Sequence, residues 1–130
     1  MKKISFLLLL LGLCGCKSTA QKVTPIFNTE VVEIKVEQLS DYWILDTQKV
    51  KIVTKRPNWF PKGQGQWKVL TIIDSNGHIV ESTLVSSSPE GYMTQSQLDK
   101  IPRETYRASV SNVNRTPVKF YGVSKITLRN

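Results

Sequence analysis

The sequence predicts an α+β fold: a small antiparallel sheet with one or two short helices on one face. An apolar run at 67–74 is followed by a turn and by a second run at 78–86, which is the pattern of a β-hairpin. A helix-capping pattern begins at Thr94, and a long alternating stretch closes the chain at 118–128. A hairpin, a helix and a further strand in this order form α+β domains rather than parallel α/β sheets.

The N-terminal half carries weaker strand signals. Val31–Val36 alternates well enough for a strand, and its apolar face would consist of Val32, Ile34 and Val36. Residues 42–45 are apolar and aromatic, and the sequence leaves their secondary structure open. Residues 49–54 alternate lysine with β-branched side chains, which predicts another strand. Two prolines and two glycines exclude a regular helix or a central strand from 55–66.

The hairpin is the strongest prediction. Trp67–Asp74 is largely apolar on both faces, as expected of a central strand that a helix covers on one side. The turn that follows contains Asn76 and Gly77, which tolerate positive φ, and His78–Ser86 returns as the partner strand.

A short helix is predicted between the hairpin and the end of the chain. Thr94 and Gln97 stand three residues apart, as the two members of a capping box do. The helix is therefore expected over about 95–101, and Pro102 ends it because proline disrupts helix interiors. The residues expected to face the core are Leu98 and Ile101.

The closing stretch, Val118–Leu128, predicts a long strand with two unlike faces. The even positions supply an apolar face: Val118, Phe120, Ile126 and Leu128. The odd positions supply a basic, solvent-facing side that only Val123 interrupts: Lys119, Tyr121, Lys125, Thr127 and Arg129. If this strand lies at a sheet edge, its unpaired amides and carbonyls can accept an extended peptide as an added strand.

The first sixteen residues have the plan of an export signal. Two lysines precede the apolar run Ile4–Leu13. A helix of that length rises only about 15 Å, which is too short to span a bilayer. Leu13-Cys14-Gly15-Cys16 resembles a bacterial lipoprotein box, which implies cleavage before Cys16 and lipidation of Cys16. The alternative is an ordinary secretory signal in which both cysteines are incidental.

This resemblance divides the chain into four parts: a signal peptide at 1–15, the lipidated cysteine and a polar tether at 16–30, an approach segment at 31–54 and a domain at 55–130. Lys17 stands at the position after Cys16, where aspartate would retain many lipoproteins at the inner membrane. We therefore expect an anchor on the periplasmic face of the outer membrane.

Charge is distributed unevenly along the chain. The formal net charge is +8, yet residues 17–46 hold three lysines against five acids, whereas residues 47–130 hold thirteen lysines and arginines against five acids. A basic domain suits acidic proteins, lipid phosphates and cell-wall carboxylates as partners, or merely a solvated surface. Nucleic acid is not an expected partner of an exported protein.

No catalytic or metal-binding pattern stands out. His78 is the only histidine and is expected to be an exposed turn residue without metal, since zinc or iron would need further ligands. The chain has no G-x-S-x-G nucleophile elbow and no phosphate-binding glycine loop. We expect no catalytic residue, no cofactor and no enzyme activity. Trp67 is predicted to lie in the core. Trp59, between the two prolines, is predicted to pack into the core as well, and the sequence does not decide whether Trp43 is buried.

Residues 55–130 carry a series of motifs in a fixed order. They are Pro57-Asn58-Trp59-Phe60-Pro61, Gly65-Gln66-Trp67-Lys68-Val69, Asp74-Ser75-Asn76-Gly77-His78-Ile79-Val80, the Ser86–Gly91 loop, Thr105-Tyr106-Arg107-Ala108, Thr116-Pro117-Val118 and a final strand ending Ile126-Thr127-Leu128. This series resembles the TonB C-terminal domain. In that family the final strand is understood to hold a short peptide from outer-membrane transporters.

The chain departs from that family at three places, the first of which is Trp59-Phe60, where the opening motif of the family usually has tyrosine. The helix of about two turns that usually follows the opening motif is absent or reduced, because only residues 62–66 remain for it. Energy-transducing members begin with a membrane helix and a long proline-rich spacer, and a lipid at Cys16 cannot couple to a membrane motor in that way. We therefore expect a tethered binding module rather than a force transmitter.

The expected function is docking of an outer-membrane or envelope protein by edge-strand addition, with an accessory role in TonB-type transport as one use of it. The residues expected at the binding edge are Val118, Lys119, Phe120, Tyr121, Val123, Lys125 and Thr127. The alternative is a structural envelope lipoprotein that associates with peptidoglycan through its basic and aromatic surface.

Overall fold

The computed structural model describes residues 24–49 and 55–128 of the 130-residue chain. It confirms an α+β fold with a small sheet and two short α-helices. The strands are β1 (Val32–Glu33), β2 (Trp43–Leu45), β3 (Gly65–Ile73), β4 (Ile79–Ser88), β5 (Tyr106–Ala108) and β6 (Val118–Ile126). The α-helices are α1 (Leu39–Tyr42) and α2 (Gln95–Lys100), and 3-10 helices occupy Val36–Gln38 and Thr47–Lys49.

The main sheet has the order β1-β6-β3-β4, which makes β3 a central strand as predicted. β3 pairs antiparallel with β6 on one side, over its whole length. On its other side it pairs antiparallel with β4 from Gln66 onwards. The hairpin turn is closed by Asp74, whose Oδ1 accepts bonds from the amides of Asn76 and His78, both at 3.0 Å. Gly77 has φ 80°, and a Cβ there would collide with the Tyr106 carbonyl.

The sheet is mixed rather than purely antiparallel, and this corrects the prediction. β1 runs parallel to β6 and is only two residues long. The chain leaves the sheet after Ile34, and Gln38 Oε1 accepts a bond from the Lys35 amide at the start of a 3-10 turn. Val32 and Val36 are consequently exposed, so the predicted apolar face is wrong except at Ile34, which is buried.

Residues 42–45, which the sequence left open, divide between α1 and β2. β2 pairs antiparallel with β5 in a separate two-stranded sheet, and Trp43 is buried, donating through Nε1 to the Thr116 carbonyl at 2.9 Å. The sequence did not predict β5 as a strand. Three residues carry too little periodicity to identify a strand whose partner lies more than sixty positions away in sequence.

The predicted capping box is confirmed. The backbone N–H of Gln97 donates to Thr94 Oγ1 at 3.2 Å, and the backbone N–H of Thr94 donates to Gln97 Oε1 at 2.9 Å. α2 ends at Lys100, before Ile101 and Pro102, and Leu98 is buried as expected. No regular element occupies the described residues 55–64, as the prolines and glycines predicted.

The core lies on one face of the main sheet in two clusters. Trp67 belongs to the cluster under α2, which confirms its predicted role, and Trp59 is half-buried beside Phe60 at a ring-centroid distance of 5.9 Å. The buried members of the first cluster are Ile34, Trp43, Ile73, Val118 and Phe120. The buried members of the second are Trp67, Met93 and Leu98.

Two predictions fall outside the described residues. The signal peptide, Cys16 and the first part of the tether precede Thr24, and most of the predicted strand at 49–54 lies in the gap before Lys55. Within residues 24–49 and 55–128, no helix is both long enough and apolar enough to cross a bilayer.

Candidate functional site

The outer side of β6 is covered only at its beginning. The Val32 amide donates to the Pro117 carbonyl at 3.0 Å, and the Ile34 amide donates to the Lys119 carbonyl at 2.9 Å. β1 then ends, whereas β6 continues to Ile126. Across the described part of the chain, no strand pairs with the outer side of residues 120–126.

The backbone groups of this open edge follow from strand alternation. The carbonyls of Pro117 and Lys119 point outward to β1, so the backbone groups of Tyr121, Val123 and Lys125 point outward as well. Val123 is 64% exposed and Tyr121 40% exposed. The open edge therefore presents three successive outward-facing residues, each with one amide donor and one carbonyl acceptor.

One face of the sheet beside this edge is basic. Lys68 of β3 stands directly opposite Val123, so the two side chains share a face, and Lys119 and Lys125 lie on that face by alternation. Lys68 Nζ lies 5.1 Å from the centroid of the Tyr121 ring, within the range of a cation–π contact. An extended segment paired with β6 would therefore meet positive charge along this face, which favours acidic side chains.

The other face of the sheet borders an open cleft of about 420 Å³. Its walls include Phe60, Ile101 and Tyr106, and its floor is the covered face of the sheet. The cleft reaches β6 at Gly122 and Ser124, and a Cβ added at Gly122 would meet no atom within 4 Å. A strand added to the edge would direct alternate side chains towards this mostly apolar cleft.

The opposite long edge, that of β4, is capped by side chains over its first half. The Leu84 amide donates to Gln95 Oε1 at 2.8 Å, and Gln95 Nε2 donates to the Ser82 carbonyl at 2.9 Å. This side-chain amide makes the pair of bonds that a neighbouring strand would make. Gln95 is oriented by a third bond, from Nε2 to Asp99 Oδ1 at 2.8 Å.

The beginning of the β4 edge is closed in the same manner. An Arg103 guanidinium nitrogen donates to the Ile79 carbonyl at 3.1 Å, and His78 forms an isolated antiparallel bridge with Thr105. The segment after α2 therefore lies along the start of β4.

The seven residues predicted at the binding edge do not occupy equivalent positions. Val118 and Phe120 are buried in the core, and Val118 and Lys119 lie beneath β1, which corrects their assignment to an accessible edge. Thr127 follows the end of β6. The structure leaves Tyr121, Val123 and Lys125 on the open edge. Cys16 lies outside the described residues.

Sequence reasoning missed four residues that shape the two edges: Lys68, Gln95, Arg103 and Gly122. Lys68 could have been found from the alternation of β3. The other three could not, because their roles depend on which strand lies beside them.

His78 is not the exposed turn residue that was predicted. It is half-buried, and its Nδ1 atom is enclosed without a hydrogen-bond partner, beside the bridge to Thr105. Among residues 24–49 and 55–128, no group of three or more histidine, cysteine, aspartate or glutamate side chains could hold a metal ion.

One titratable group near the cleft is strongly perturbed. Burial, and to a smaller extent the negative charge and hydrogen bonding of Glu104, raise the pKa of Tyr106 to about 12. The Tyr106 hydroxyl donates to Glu104 Oε2 at 3.3 Å, so the phenol remains a donor at neutral pH.

Comparison with known proteins found no relative: no family model, no curated protein and no solved structure matches this chain.

Proposed function

We propose that this chain is a lipid-anchored periplasmic binding module that takes an extended, acidic peptide from an envelope protein as an added strand on β6. Cys16 would carry the lipid on the periplasmic face of the outer membrane, and the fold would be a variant of the TonB C-terminal domain. The module would then serve as an accessory to TonB-type transport.

One observation carries the proposal: side chains cap the β4 edge at Ile79, Ser82 and Leu84, whereas residues 120–126 of β6 are left open in the described chain. Exposed sheet edges promote aggregation, so an uncapped edge is unfavourable unless it has a use. Binding a partner strand would be such a use. Seven strand residues extend about 23 Å, which is enough for main-chain bonds to a short peptide.

The two faces beside the open edge define the expected peptide. Side chains of the added strand that point to the basic face would meet Lys125, with Lys68 on the same face of the neighbouring strand, so acidic residues are favoured there. Side chains that point to the other face would approach the cleft beside Gly122, so apolar residues are favoured there. The expected peptide alternates acidic with apolar residues over about five positions.

The direct test is photocrosslinking in cells. A benzophenone amino acid replaces Tyr121 at the open edge, and in a matched strain it replaces Val85, which is exposed on β4. We expect a discrete adduct with an envelope protein from position 121 and none from position 85. Equal adducts from both positions, or no adduct from either, would contradict strand addition at β6.

The anchor is tested separately with Cys16→Ala. We expect this variant to be released from membranes or to remain unprocessed, while its far-ultraviolet circular dichroism is unchanged after purification. If Cys16→Ala protein stays membrane-bound at the mature size, the lipid anchor is wrong, and the edge proposal survives independently.

Association with peptidoglycan is the second candidate function. The lysines on the basic face of the sheet favour it: Lys68, Lys119 and Lys125. Binding to cell-wall carboxylates through exposed charges should weaken steeply as ionic strength rises. Strand pairing should persist. Co-sedimentation with purified peptidoglycan across a salt series distinguishes the two candidates. If the protein does not co-sediment with peptidoglycan but still crosslinks to a protein partner at high salt, only strand addition remains.

A further inference from the structure

The loop between β5 and β6 exposes two valines. Val110 is 97% exposed and Val113 is 83% exposed, the two highest values among the large hydrophobic residues of the described chain. Isolated exposed apolar residues are common, but two nearly bare valines on one short loop form a local apolar protrusion.

Hydrogen bonds fix the loop in this shape. Ser109 Oγ and Ser111 Oγ both donate to the Asp41 carbonyl, at 2.6 and 3.0 Å. Asn112 is the centre of the loop: its Nδ2 donates to the Tyr42 carbonyl at 2.9 Å, and its Oδ1 accepts from the Thr116 amide at 2.8 Å. These bonds hold the backbone on both sides of Val110 and next to Val113.

The loop lies at the end of the domain where the tether arrives. Arg115 Nε donates to the Ser75 carbonyl at 2.7 Å. The Ser75 amide donates to the Ile26 carbonyl at 2.8 Å, and Ser75 Oγ accepts from the Asn28 amide at 2.8 Å. Ser75 is therefore bonded to the loop on one side and to the tether on the other.

The tether adds two further exposed apolar residues at this end. Ile26 and Phe27 are each 47% exposed, although the backbone around them is bound to the hairpin turn. Ile26 is held a second time, because its amide donates to Asp74 Oδ2 at 3.2 Å. We call these four exposed residues the anchor-end tip: Ile26, Phe27, Val110 and Val113.

We propose that the anchor-end tip rests in the interfacial region of the phospholipid bilayer that holds the lipid of Cys16. This proposal rests on the lipid anchor of the proposed function. Ten residue steps separate Cys16 from Ile26, the first tether residue bonded to the domain, so the anchor lies at most about 36 Å from that point. A tether of this length keeps the tip within reach of the bilayer, and exposed apolar side chains favour the headgroup–acyl boundary over water.

The proposed contact also sets the direction of the binding edge. β6 begins at Val118, which pairs with Ile73 beside the hairpin turn, and it runs from there towards Ile126. The open residues 120–126 would therefore point away from the bilayer, towards partners in the periplasm.

The test uses the full-length protein, processed and lipidated in cells, purified, and reconstituted into vesicles of phosphatidylethanolamine and phosphatidylglycerol without other proteins. Val110→Cys and Val113→Cys each introduce one free thiol, since Cys14 leaves with the leader and Cys16 is acylated. Val85→Cys, on an exposed position of β4, is the matched control. The labelling rate with a charged maleimide is measured for the protein in vesicles. It is measured again for the same protein after release by detergent, once the detergent has been diluted below its critical micelle concentration.

We expect labelling of Val110→Cys and Val113→Cys to be at least about fivefold slower in vesicles than after release, and labelling of Val85→Cys to be unchanged. Equal rates at all three positions in vesicles would overturn the tip proposal and leave the β6 edge untouched. Recovery of the unmodified chain in the aqueous phase would remove the anchor and the tip proposal together. Crosslinking from Tyr121 tests the edge independently of either result.

Discussion

The two long edges of the main sheet are treated in opposite ways. At the β4 edge, Gln95 binds the backbone of Ser82 and Leu84, and Arg103 binds the carbonyl of Ile79. At the β6 edge, β1 covers only the first two residues of the strand. Both edges belong to antiparallel partners of β3, so the sheet itself does not cause the difference.

The difference arises from the segments that pack beside each strand. Helix α2 and the residues after it pack beside β4, which places side-chain amide and guanidinium groups within bonding distance of its edge. β1 leaves the sheet early because the chain turns into a 3-10 helix at Val36. The capped β4 edge is therefore protected against association with another strand, whereas the open β6 edge can accept one.

The largest expected effect comes from removing an outward amide of the open edge. Val123→Pro eliminates the Val123 N–H, and proline is tolerated on the solvent side of an edge strand. The lost bond and the steric bulk of the ring should cost at least about 1.4 kcal/mol of binding, which is tenfold in affinity. We expect the Tyr121 crosslink yield to fall accordingly, measured beside thermal unfolding of the variant.

Val123→Thr is the matched control, because it retains the amide and a β-branched side chain. It should crosslink close to the level of the natural sequence. Equal crosslinking by the proline and threonine variants would exclude main-chain pairing at Val123.

Opening the capped edge is the second prediction. Gln95→Ala removes two bonds to the β4 backbone, so the free energy of unfolding should fall by about 1 kcal/mol. The exposed edge should also cause concentration-dependent association in sedimentation experiments. Ser96→Ala, one residue further along the exposed start of α2, is the control. A Gln95→Ala protein as stable and as monomeric as Ser96→Ala would show that the cap is unimportant.

The third prediction concerns charge beside the open edge. Lys125→Glu reverses the charge on the basic face and should lower crosslinking from Tyr121 about two- to fivefold at low salt, because exposed ion pairs contribute up to about 1 kcal/mol. The difference should vanish above about 0.5 M salt, where screening is strong. Lys62→Glu makes the same change of net charge on another exposed lysine. If both variants lose equal yield, net charge rather than local recognition is responsible.

The smallest expected effect concerns pH and the segment that covers the start of β4. The pKa of Tyr106 is raised to about 12, whereas an unfolded tyrosine ionises near 10. Between about pH 10 and pH 12 the unfolded chain therefore releases a proton that the folded chain retains, so stability falls as pH rises. Tyr106→Phe should reduce this slope in urea unfolding experiments at about pH 10 to 12. An identical slope in both proteins would mean that Tyr106 does not contribute.

The sequence predicted the elements that have long or chemically specific patterns. The hairpin at 67–86, the capping box at Thr94 and the final strand from Val118 each depend on contacts between residues close in sequence, or on a period of two sustained over many residues. β5 and the parallel pairing of β1 were missed, because two- or three-residue strands have no measurable period.

The candidate site was only partly accessible from sequence. Alternation identified the solvent-facing residues of the final strand, including Tyr121, Val123 and Lys125. It could not identify that β1 covers Val118 and Lys119, or that Gln95 reaches the edge of β4. Such contacts join positions that are far apart in sequence or that meet only after α2 packs on the sheet.

The sequence alone determined that this chain forms an α+β domain, that the last strand has one apolar and one basic face, and that a turn with residues tolerant of positive φ joins the two hairpin strands. These features depend on side-chain period, capping and φ preferences, which act over a few residues. Only the tertiary structure decided which sheet edge is capped and which is open. Edge exposure is decided by which segments pack beside a strand, and that depends on the whole chain.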